Sequence, residues 1–164
     1  MRSFFLPFFL FIKFDTFQVS IFLDICFEGG FMSINFSQSI DTKIDTILLT
    51  AGLSQRMGTD KALLQIKGKR IISIILEKLS VFSERIFIIL GANYHQVKKV
   101  LFDEFGDKRK INLVYNENHK QGMFSSILKG FNSVSGKNPI LLQMIDQPFI
   151  SLETYQKLIN NLDK

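Results

Sequence analysis

The feature that most constrains the fold is a regular alternation of segment types that begins near Asp45 and continues along the chain. Short apolar runs, rich in β-branched and aromatic residues, are bounded by turn residues, which is typical of strands buried on both faces. Between them, apolar residues recur at the i, i+3, i+4, i+7 spacing of amphipathic helices. This alternation predicts an α/β fold, a Rossmann-like three-layer sandwich with a mostly parallel sheet.

The strand and helix positions follow from these runs. The predicted strands cover residues 47–49, 86–90, 111–115 and 140–145. The four predicted helices carry their apolar stripes at Ile72, Ile75, Leu76 and Leu79, at Tyr94, Val97, Leu101 and Phe105, at Phe124, Ile127, Leu128 and Phe131, and at Leu152, Tyr155, Ile159 and Leu162. Asn93 and Ser151 stand where side-chain caps are expected for the second and fourth helices.

The loop after the first of these strands has the residues of an anion-binding turn, at the sheet edge where ligands bind in such folds. Gly52 and Gly58 allow a tight turn, and a loop that enters a helical turn points N–H groups at phosphate oxygens. Arg56 can bind phosphate with two donors, and Lys61 offers a point charge. The spacing fits neither a P-loop nor the dinucleotide-binding glycine motif. The residues alone leave a phosphate site and a structural turn as alternatives.

Composition and charge narrow the class of protein. The chain has 164 residues, enough for one domain with a core, and 20 Lys and Arg against 15 Asp and Glu give a net charge of +5. This charge favours anionic ligands, but the basic residues are scattered, so no nucleic-acid partner is expected. One cysteine, Cys26, allows no internal disulfide and is compatible with the reducing, cytoplasmic location that we expect.

Residues 1–31 differ from the rest because they show neither helical nor strand periodicity. Arg2 and the apolar run 4–12 imitate a secretory signal, but Lys13 and Asp15 stand near the place of a small-residue cleavage site. The run is also shorter than the ~20 apolar residues that span a bilayer, so no membrane partner is expected. The purine-rich codons of the glycines before Met32 fit a translated ribosome-binding site. Residues 1–31 are therefore predicted to be an extension, and residues 44–164 to be the domain.

Three stretches carry a resemblance to a known family. The stretch "LTAGLSQRMGTDKALL", residues 49–64, resembles the L-x-A-G-x-S-x-R-M-G-x-x-K signature of the MobA-like NTP transferase family. The stretch "NENHKQGMFSSILKGF", residues 116–131, is similar to the family's segment in which an Asn precedes G-M-x-S-S-L. The stretch "ILLQMIDQPFIS", residues 140–151, is similar to its strand that ends in D-x-P. The resemblance implies a nucleotidyltransferase of the kind that acts in molybdenum-cofactor maturation and on related substrates.

The resemblance also implies the roles of individual residues. The chain would move a nucleoside monophosphate from an NTP to a phosphorylated acceptor such as molybdopterin and release pyrophosphate. Arg56 would bind the β- and γ-phosphates, Lys61 would reach the α-phosphate, and Asp146 would be the Mg²⁺ ligand, since this hard cation prefers carboxylate oxygens. The nucleotide-binding set is Leu49, Thr50, Ala51, Gly52, Ser54, Gly58, Gly122, Ser125 and Ser126.

Several of these assignments have alternatives. The form of the two loops favours CTP over GTP as the nucleotide. Ser125 and Ser126 would contact base or ribose, or would only begin a helix. Asp146 could instead be a turn-forming aspartate before Pro148. Other polar residues are expected to be structural: Asp60 as a loop or capping residue, His119 in a loop and His95 on a helix surface.

The end of the sequence leaves the activity open. Members of the family continue through further strands after the Asp146 segment, so the resemblance implies a fold that is incomplete on its C-terminal side. The chain would then be an inactive truncated enzyme, or a non-catalytic fragment whose missing strands come from a partner chain. Transfer onto a sugar or polyol phosphate is the alternative within the enzyme class, and a basic nucleic-acid-binding module is the alternative outside it.

Overall fold

The computed structural model describes residues 10–15, 18–22, 43–51, 60–106 and 110–162. A six-stranded sheet has the strand order β2-β1-β8-β3-β6-β7. Four neighbouring strands, β8, β3, β6 and β7, run parallel, whereas β1 is antiparallel to β8 and to β2. The strands are β1 Leu10–Asp15, β2 Gln18–Phe22, β3 Ile44–Leu49, β6 Ser83–Leu90, β7 Ile111–Tyr115 and β8 Ile140–Met144, and a separate small hairpin pairs β4 Gln65–Ile66 with β5 Lys69–Arg70.

Four α-helices cover this sheet, and the predicted α/β class with a parallel sheet is confirmed. They are α1 Ile71–Phe82, α2 Tyr94–Phe105, α3 Met123–Ser133 and α4 Leu152–Asn160, with 3-10 turns at Lys61–Leu63 and His119–Gln121. Helices α1, α2 and α4 pack on one face, and α3 packs on the other. Within the described ranges, no helix is long and apolar enough to cross a membrane.

The alternation of side chains along β3 explains the two layers of core. All six residues of β3 are buried. Because successive side chains of a strand point to opposite faces, Leu48 joins the cluster under α1, α2 and α4, while Ile47 and Leu49 join the cluster under α3. A strand buried on both faces carries no polar alternation, which is why the second half of β3, residues 47–49, is a continuous apolar run.

Helix α3 uses a narrower apolar face than its sequence predicts. Ile127 and Phe131 pack against the sheet, but Phe124 and Leu128 of the same stripe are 68% and 47% exposed. The reason lies at Gly130, where an added Cβ would stand 2.7 Å from a methyl carbon of Ile47. The helix approaches the sheet most closely at this glycine, so the residues on its other side stay in solvent.

The two predicted helix caps have different outcomes. Ser151 caps α4 as expected, since its side chain accepts a hydrogen bond from the N–H of Thr154 at 3.1 Å. Asn93 occupies the N-cap position of α2, but its side chain makes no capping hydrogen bond, and that part of the prediction is wrong. Its backbone φ of −90° and ψ of 12° differ from the extended geometry of a side-chain cap.

An ion pair closes the amino end of the parallel sheet. Asp45, which is fully buried, accepts hydrogen bonds from Nε and Nη2 of Arg85 at 3.0 and 2.6 Å. Arg85 also donates to the backbone carbonyl and hydroxyl of Ser135 in the connection before β8. The hydrogen bonds to the Asp45 carboxylate raise the pKa of Arg85. The pair therefore ties β3, β6 and the α3–β8 connection together.

The first two strands lie in a segment that the sequence predicts to be an extension. Residues of β1 pair with β8 in the register Leu10 to Leu142 and Ile12 to Ile140. The free edge of β8 carries unpaired backbone donors and acceptors, and β1 supplies partners for them. The described part of this segment is residues 10–15 and 18–22, and the expectation that residues 1–31 are an extension outside the domain stays a prediction. Whether they belong to the natural protein stays a prediction that mass spectrometry of its N-terminus tests.

Candidate functional site

The carboxyl ends of β3, β6, β7 and β8 form one edge of the sheet, and the connections that leave this edge carry most of the predicted site residues. Thr50, the residue after β3, is buried, and its N–H and hydroxyl both donate to the carbonyl of Ile89 at 3.1 and 2.7 Å. The carbonyl of Leu49 accepts the N–H of Ile145 at 3.1 Å. These internal bonds fix the direction in which the chain leaves β3 at Ala51.

Most of the predicted phosphate loop falls outside the described residues. Gly52, Ser54, Arg56 and Gly58 all lie in the segment 52–59, which is not described, so their roles stay predictions. The description resumes at Asp60, whose carboxylate accepts the N–H of Ala62 at 2.8 Å and caps the 3-10 turn Lys61–Leu63. The expectation that Asp60 is a capping residue is confirmed.

Lys61 is the first residue of this turn. The next residue, Ala62, is buried in the hydrophobic cluster under α1, α2 and α4. Its side chain is half-buried and forms no ion pair or hydrogen bond with the described residues. A cation without a partner in the described part of the chain can serve an anionic ligand.

The corner between β7 and α3 is held by one buried side chain, Asn116. Its amide nitrogen donates to the hydroxyl oxygens of Ser125 and Ser126, both at 3.0 Å. Its amide oxygen accepts the N–H of Asn118 at 3.0 Å. The residue is 1% exposed, and its own N–H donates to the carbonyl of Leu90 at 2.8 Å. Asn116 therefore links the ends of β6 and β7 to the first turn of α3.

The two serines of this corner differ in access. Ser126 is 3% exposed, so its hydroxyl belongs to the internal network. Ser125 is half-buried and lines a cavity of about 410 Å³ beside α3, with Phe124, Leu128 and Asn116 also in its wall. Gly122, the residue before α3, has a φ of 97°, a conformation that glycine adopts at little cost.

His119 has a structural place in the same corner. Its Nδ1 lies 3.0 Å from the carbonyl of Asn116, which can only accept, so Nδ1 carries the proton. The ring is 7% exposed and packs on Gly91, where an added Cβ would stand 3.0 Å from the imidazole. His119 lies in a 3-10 turn rather than an irregular loop, and His95 is exposed on α2 as predicted.

Asp146 lies in the corner between β8 and α4 and, unlike the buried Asn116, is exposed to solvent. Its side chain is exposed and makes no hydrogen bond or ion pair with the described part of the chain. The loop around it is nevertheless fixed, because the ammonium group of Lys78 on α1 donates to the carbonyls of Pro148 and Ile150 at 2.9 and 2.8 Å. Burial lowers the pKa of this lysine. Ile145 points into the core, away from the exposed acid.

A second contact supports β8 below Asp146. The hydroxyl of Tyr155 on α4 donates to the side-chain carbonyl of Gln143 at 2.9 Å, and the amide of Gln143 donates to the carbonyl of Met144 at 2.8 Å. Both residues are buried. Burial raises the pKa of Tyr155, so its hydroxyl stays protonated and keeps donating.

The residues at this edge fit a magnesium ion only if a ligand completes its coordination. Among the described residues, no three His, Cys, Asp or Glu side chains cluster as a metal cage. Mg²⁺ is commonly held by one or two carboxylates together with substrate phosphates and water. A single exposed carboxylate such as Asp146 matches that donor set.

Two of these residues were not singled out from the sequence as site residues. Asn116 stands in the quoted stretch that carries the resemblance, where its local signal is an Asn directly after a strand. Lys78 has no local signal at all, because its partners are 70 and 72 residues away in the chain. Of the predicted set, the structure places Leu49, Thr50, Ala51, Gly122, Ser125, Ser126 and Asp146 along the same sheet edge.

Comparison with protein families agrees with this arrangement. The sequence profile of the MobA-like NTP transferase domain matches residues 46–164. The chain belongs to the MobA-like NTP transferase family. The match covers all four parallel strands except the first two residues of β3, and all four helices. It excludes β1 and β2.

Two curated relatives and one solved structure are similar to this chain. The chain is 29% identical over 122 residues to a probable molybdenum cofactor guanylyltransferase of Natranaerobius thermophilus, which covers 74% of this chain and 56% of that protein. It is 32% identical over 115 residues to nicotine blue oxidoreductase of Paenarthrobacter nicotinovorans, covering 69% and 54%. The 4-diphosphocytidyl-2C-methyl-D-erythritol synthase structure from Anaerococcus prevotii has a TM-score of 0.59 at 21% identity, covering 76% of this chain and 53% of that one, which shows the fold alone.

The chain therefore spans about half the length of these two curated relatives. Their names describe different reactions, so membership of the MobA-like NTP transferase family does not by itself fix the chemistry. The residues at the sheet edge have to supply that argument.

Proposed function

We propose that this chain provides the NTP-binding part of a Mg²⁺-dependent nucleotidyltransferase. The observation that supports it most directly is the position of two unlike corners on one sheet edge. One corner presents the half-buried hydroxyl of Ser125, and the other presents the carboxylate of Asp146, which is exposed and has no partner among the described residues. A nucleoside triphosphate needs both, since its sugar and base require directional hydrogen bonds and its phosphates require a cation.

The proposed reaction is an in-line attack of an acceptor phosphate oxygen on the α-phosphorus of the NTP, with pyrophosphate as the leaving group. Such a transfer depends on alignment and on neutralised charge rather than on a covalent protein nucleophile. Lys61 would stabilise the charge that grows on the α-phosphate, and Arg56 would hold the β- and γ-phosphates that leave. Asp146 would hold Mg²⁺, and the metal would neutralise phosphate charge.

The remaining members of the predicted set would bind the nucleotide. Backbone and hydroxyl contacts to phosphate and ribose would come from Ala51, Gly52, Ser54 and Gly58. Leu49 and Thr50 would hold the beginning of this loop in place through their bonds to the sheet. We propose CTP as the favoured nucleotide and a small phosphorylated molecule, such as molybdopterin or a sugar or polyol phosphate, as the acceptor. A partner chain that supplies further strands and the acceptor pocket is part of this proposal, as is a cytoplasmic location.

The direct test is equilibrium binding of labelled CTP and GTP to the full chain, with and without Mg²⁺. Replacing Lys61 with Ala should weaken Mg·NTP binding by about tenfold to a hundredfold, as expected for the loss of a charge-assisted contact. The matched control is Lys137→Ala, since Lys137 is exposed in the connection before β8 at the other end of the sheet. Equal affinity in wild type, Lys61→Ala and Lys137→Ala would remove the phosphate role.

The reaction itself is tested by pyrophosphate release from CTP in the presence of candidate acceptors. Release that requires both Mg²⁺ and one acceptor class identifies that acceptor. Binding of Mg·NTP without release under every condition fits the non-catalytic alternative, in which the chain is an NTP-binding half that needs a partner.

A further inference from the structure

The hydrogen bonds around Asn116 use every polar atom of its side chain. The backbone N–H of Asn118 can only donate, so the atom that faces it at 3.0 Å is the amide oxygen of Asn116. The amide nitrogen therefore faces the serines, and its two hydrogens are directed to Ser125 and Ser126, each at 3.0 Å. The side chain is buried, and rotating its amide by half a turn would place the NH2 group against the N–H of Asn118, donor against donor.

This arrangement determines what the hydroxyl of Ser125 can offer. A hydroxyl has one hydrogen to donate and two lone pairs that accept. The oxygen of Ser125 accepts from Asn116 with one lone pair, and its hydrogen is directed to the carbonyl of Asn118 at 2.9 Å or that of Gly122 at 2.8 Å. One lone pair is left. Ser125 can therefore accept a hydrogen bond from a ligand without breaking an internal contact, but it cannot donate one.

The free lone pair has space around it. Ser125 is half-buried and lines the cavity of about 410 Å³ beside α3. The neighbouring Ser126 is 3% exposed and does not share this access. A second cavity of about 450 Å³ lies between α2 and β7, and none of the predicted site residues line it.

We propose that Asn116 is a positioning residue that holds Ser125 as a hydrogen-bond acceptor towards the nucleotide. The ligand group selected at this corner is then an N–H or O–H donor, which a nucleotide supplies as the amino group of its base or as its ribose 2′-hydroxyl. This inference rests on the proposed function and deepens it, because it names the polarity of the contact at the Ser125 corner.

The test compares the affinities of four magnesium nucleotides for the full chain: CTP, UTP, GTP and 2′-deoxy-CTP. An amino group on the base as the donor gives CTP an advantage of about threefold to tenfold over UTP, the size of one neutral hydrogen bond. A ribose 2′-hydroxyl as the donor leaves CTP and UTP equal and weakens 2′-deoxy-CTP by a similar factor.

The same preference should disappear in Asn116→Ala and in Ser125→Ala, and the double variant should show no further loss, because the two residues act through one contact. Ser133→Ala, on the same helix α3 but outside the lining of this cavity, is the matched control and should keep it. A purely structural role of Asn116 would weaken all four nucleotides equally and leave their ratios unchanged.

Three results overturn the inference. The first is an unchanged nucleotide preference in folded Asn116→Ala. The second applies if Asn116→Ala does not fold, as judged by circular dichroism: Ser125→Ala then decides alone, and retention of the preference defeats the proposal. The third is a wild type that binds NTPs with no preference for any donor group. A wild type that binds no NTP at all defeats the proposed function itself.

Discussion

Each end of the parallel sheet carries an aspartate, Asp45 within β3 and Asp146 shortly after β8, and the two carboxylates have opposite surroundings. Asp45 at the amino end is fully buried and paired with Arg85 through two hydrogen bonds. Asp146 at the carboxyl end is exposed and makes no side-chain contact with the described residues. Among the described residues, Asp45 is thus an acid that holds the fold together, whereas Asp146 is an acid without a side-chain partner.

The difference follows from what each environment does to a charge. A buried carboxylate loses its hydration and is stable only when it is paired with a partner. A carboxylate that is paired in this way has no oxygen left to bind a ligand. An exposed carboxylate keeps its hydration and exchanges water for a cation when one arrives. Fixing the loop through backbone carbonyls, as Lys78 does beside Asp146, gives a defined position without consuming the carboxylate.

The largest expected effect is at the amino end. Arg85→Met removes the partner of a fully buried carboxylate and should lower the free energy of unfolding by about 3 kcal/mol. Urea unfolding measures this loss. The control is Asp45→Asn combined with Arg85→Met, which removes the buried charge as well and should recover part of the stability. Full stability in Arg85→Met alone would show that the pair does not hold this end of the sheet.

The next effect is at the carboxyl end and should leave stability unchanged. Asp146→Asn should reduce the Mg²⁺-dependent part of NTP affinity by about tenfold to a hundredfold, because an amide is a far weaker ligand for a hard cation than a carboxylate. Titration of labelled CTP at several Mg²⁺ concentrations gives this number. Asp103→Asn on the exposed face of α2 is the matched control. Destabilisation without a change in Mg²⁺ dependence would contradict the comparison.

A smaller effect is expected at the support of the Asp146 loop. Lys78→Met keeps the aliphatic stem but removes both donors, and it should cost about 1–2 kcal/mol of stability. Hydrogen exchange should show faster opening of the backbone between Gln147 and Ser151, and Lys99→Met on α2 should not. Unchanged exchange in this loop would mean that the lysine does not hold it.

The smallest effect is a pH dependence. The folded-state pKa of Tyr155 is raised above its usual value of 10.0 by burial, so the folded state binds the proton more tightly than the unfolded state. Its stabilising contribution is fully present below pH 10.0 and is lost as the pH rises above that value. Stability curves from pH 8 to pH 11 should therefore fall less steeply for Tyr155→Phe than for wild type. Parallel curves would contradict this.

The sequence predicts the layers of the fold well because burial on both faces leaves a signal in each strand. Ser151 is identified as a cap from its residue type and its position in the sequence. Asn93 is also a residue type that favours N-caps, but its backbone angles differ from those of a side-chain cap. The apolar stripe of α3 overstates the buried face, since the close contact at Gly130 depends on tertiary packing and not on periodicity.

The candidate site is predicted less completely, for reasons of distance in the chain. Asp146 and Ser125 stand in motifs and were singled out directly. Lys78 acts on carbonyls about seventy residues away, a relation that no local pattern encodes. The roles of Arg56 and the glycines of its loop stay predictions, because the segment 52–59 is not among the described residues.

Gly130 has a consequence for how this protein can vary. A methyl group there would stand 2.7 Å from Ile47, closer than carbon atoms approach without displacement, so α3 would have to move outward by about 1 Å. That movement would carry Ser125 with it at the other end of the helix. Because position 130 has no side chain, α3 can lie close to the sheet there, and this distance also affects the position of Ser125 on the same helix.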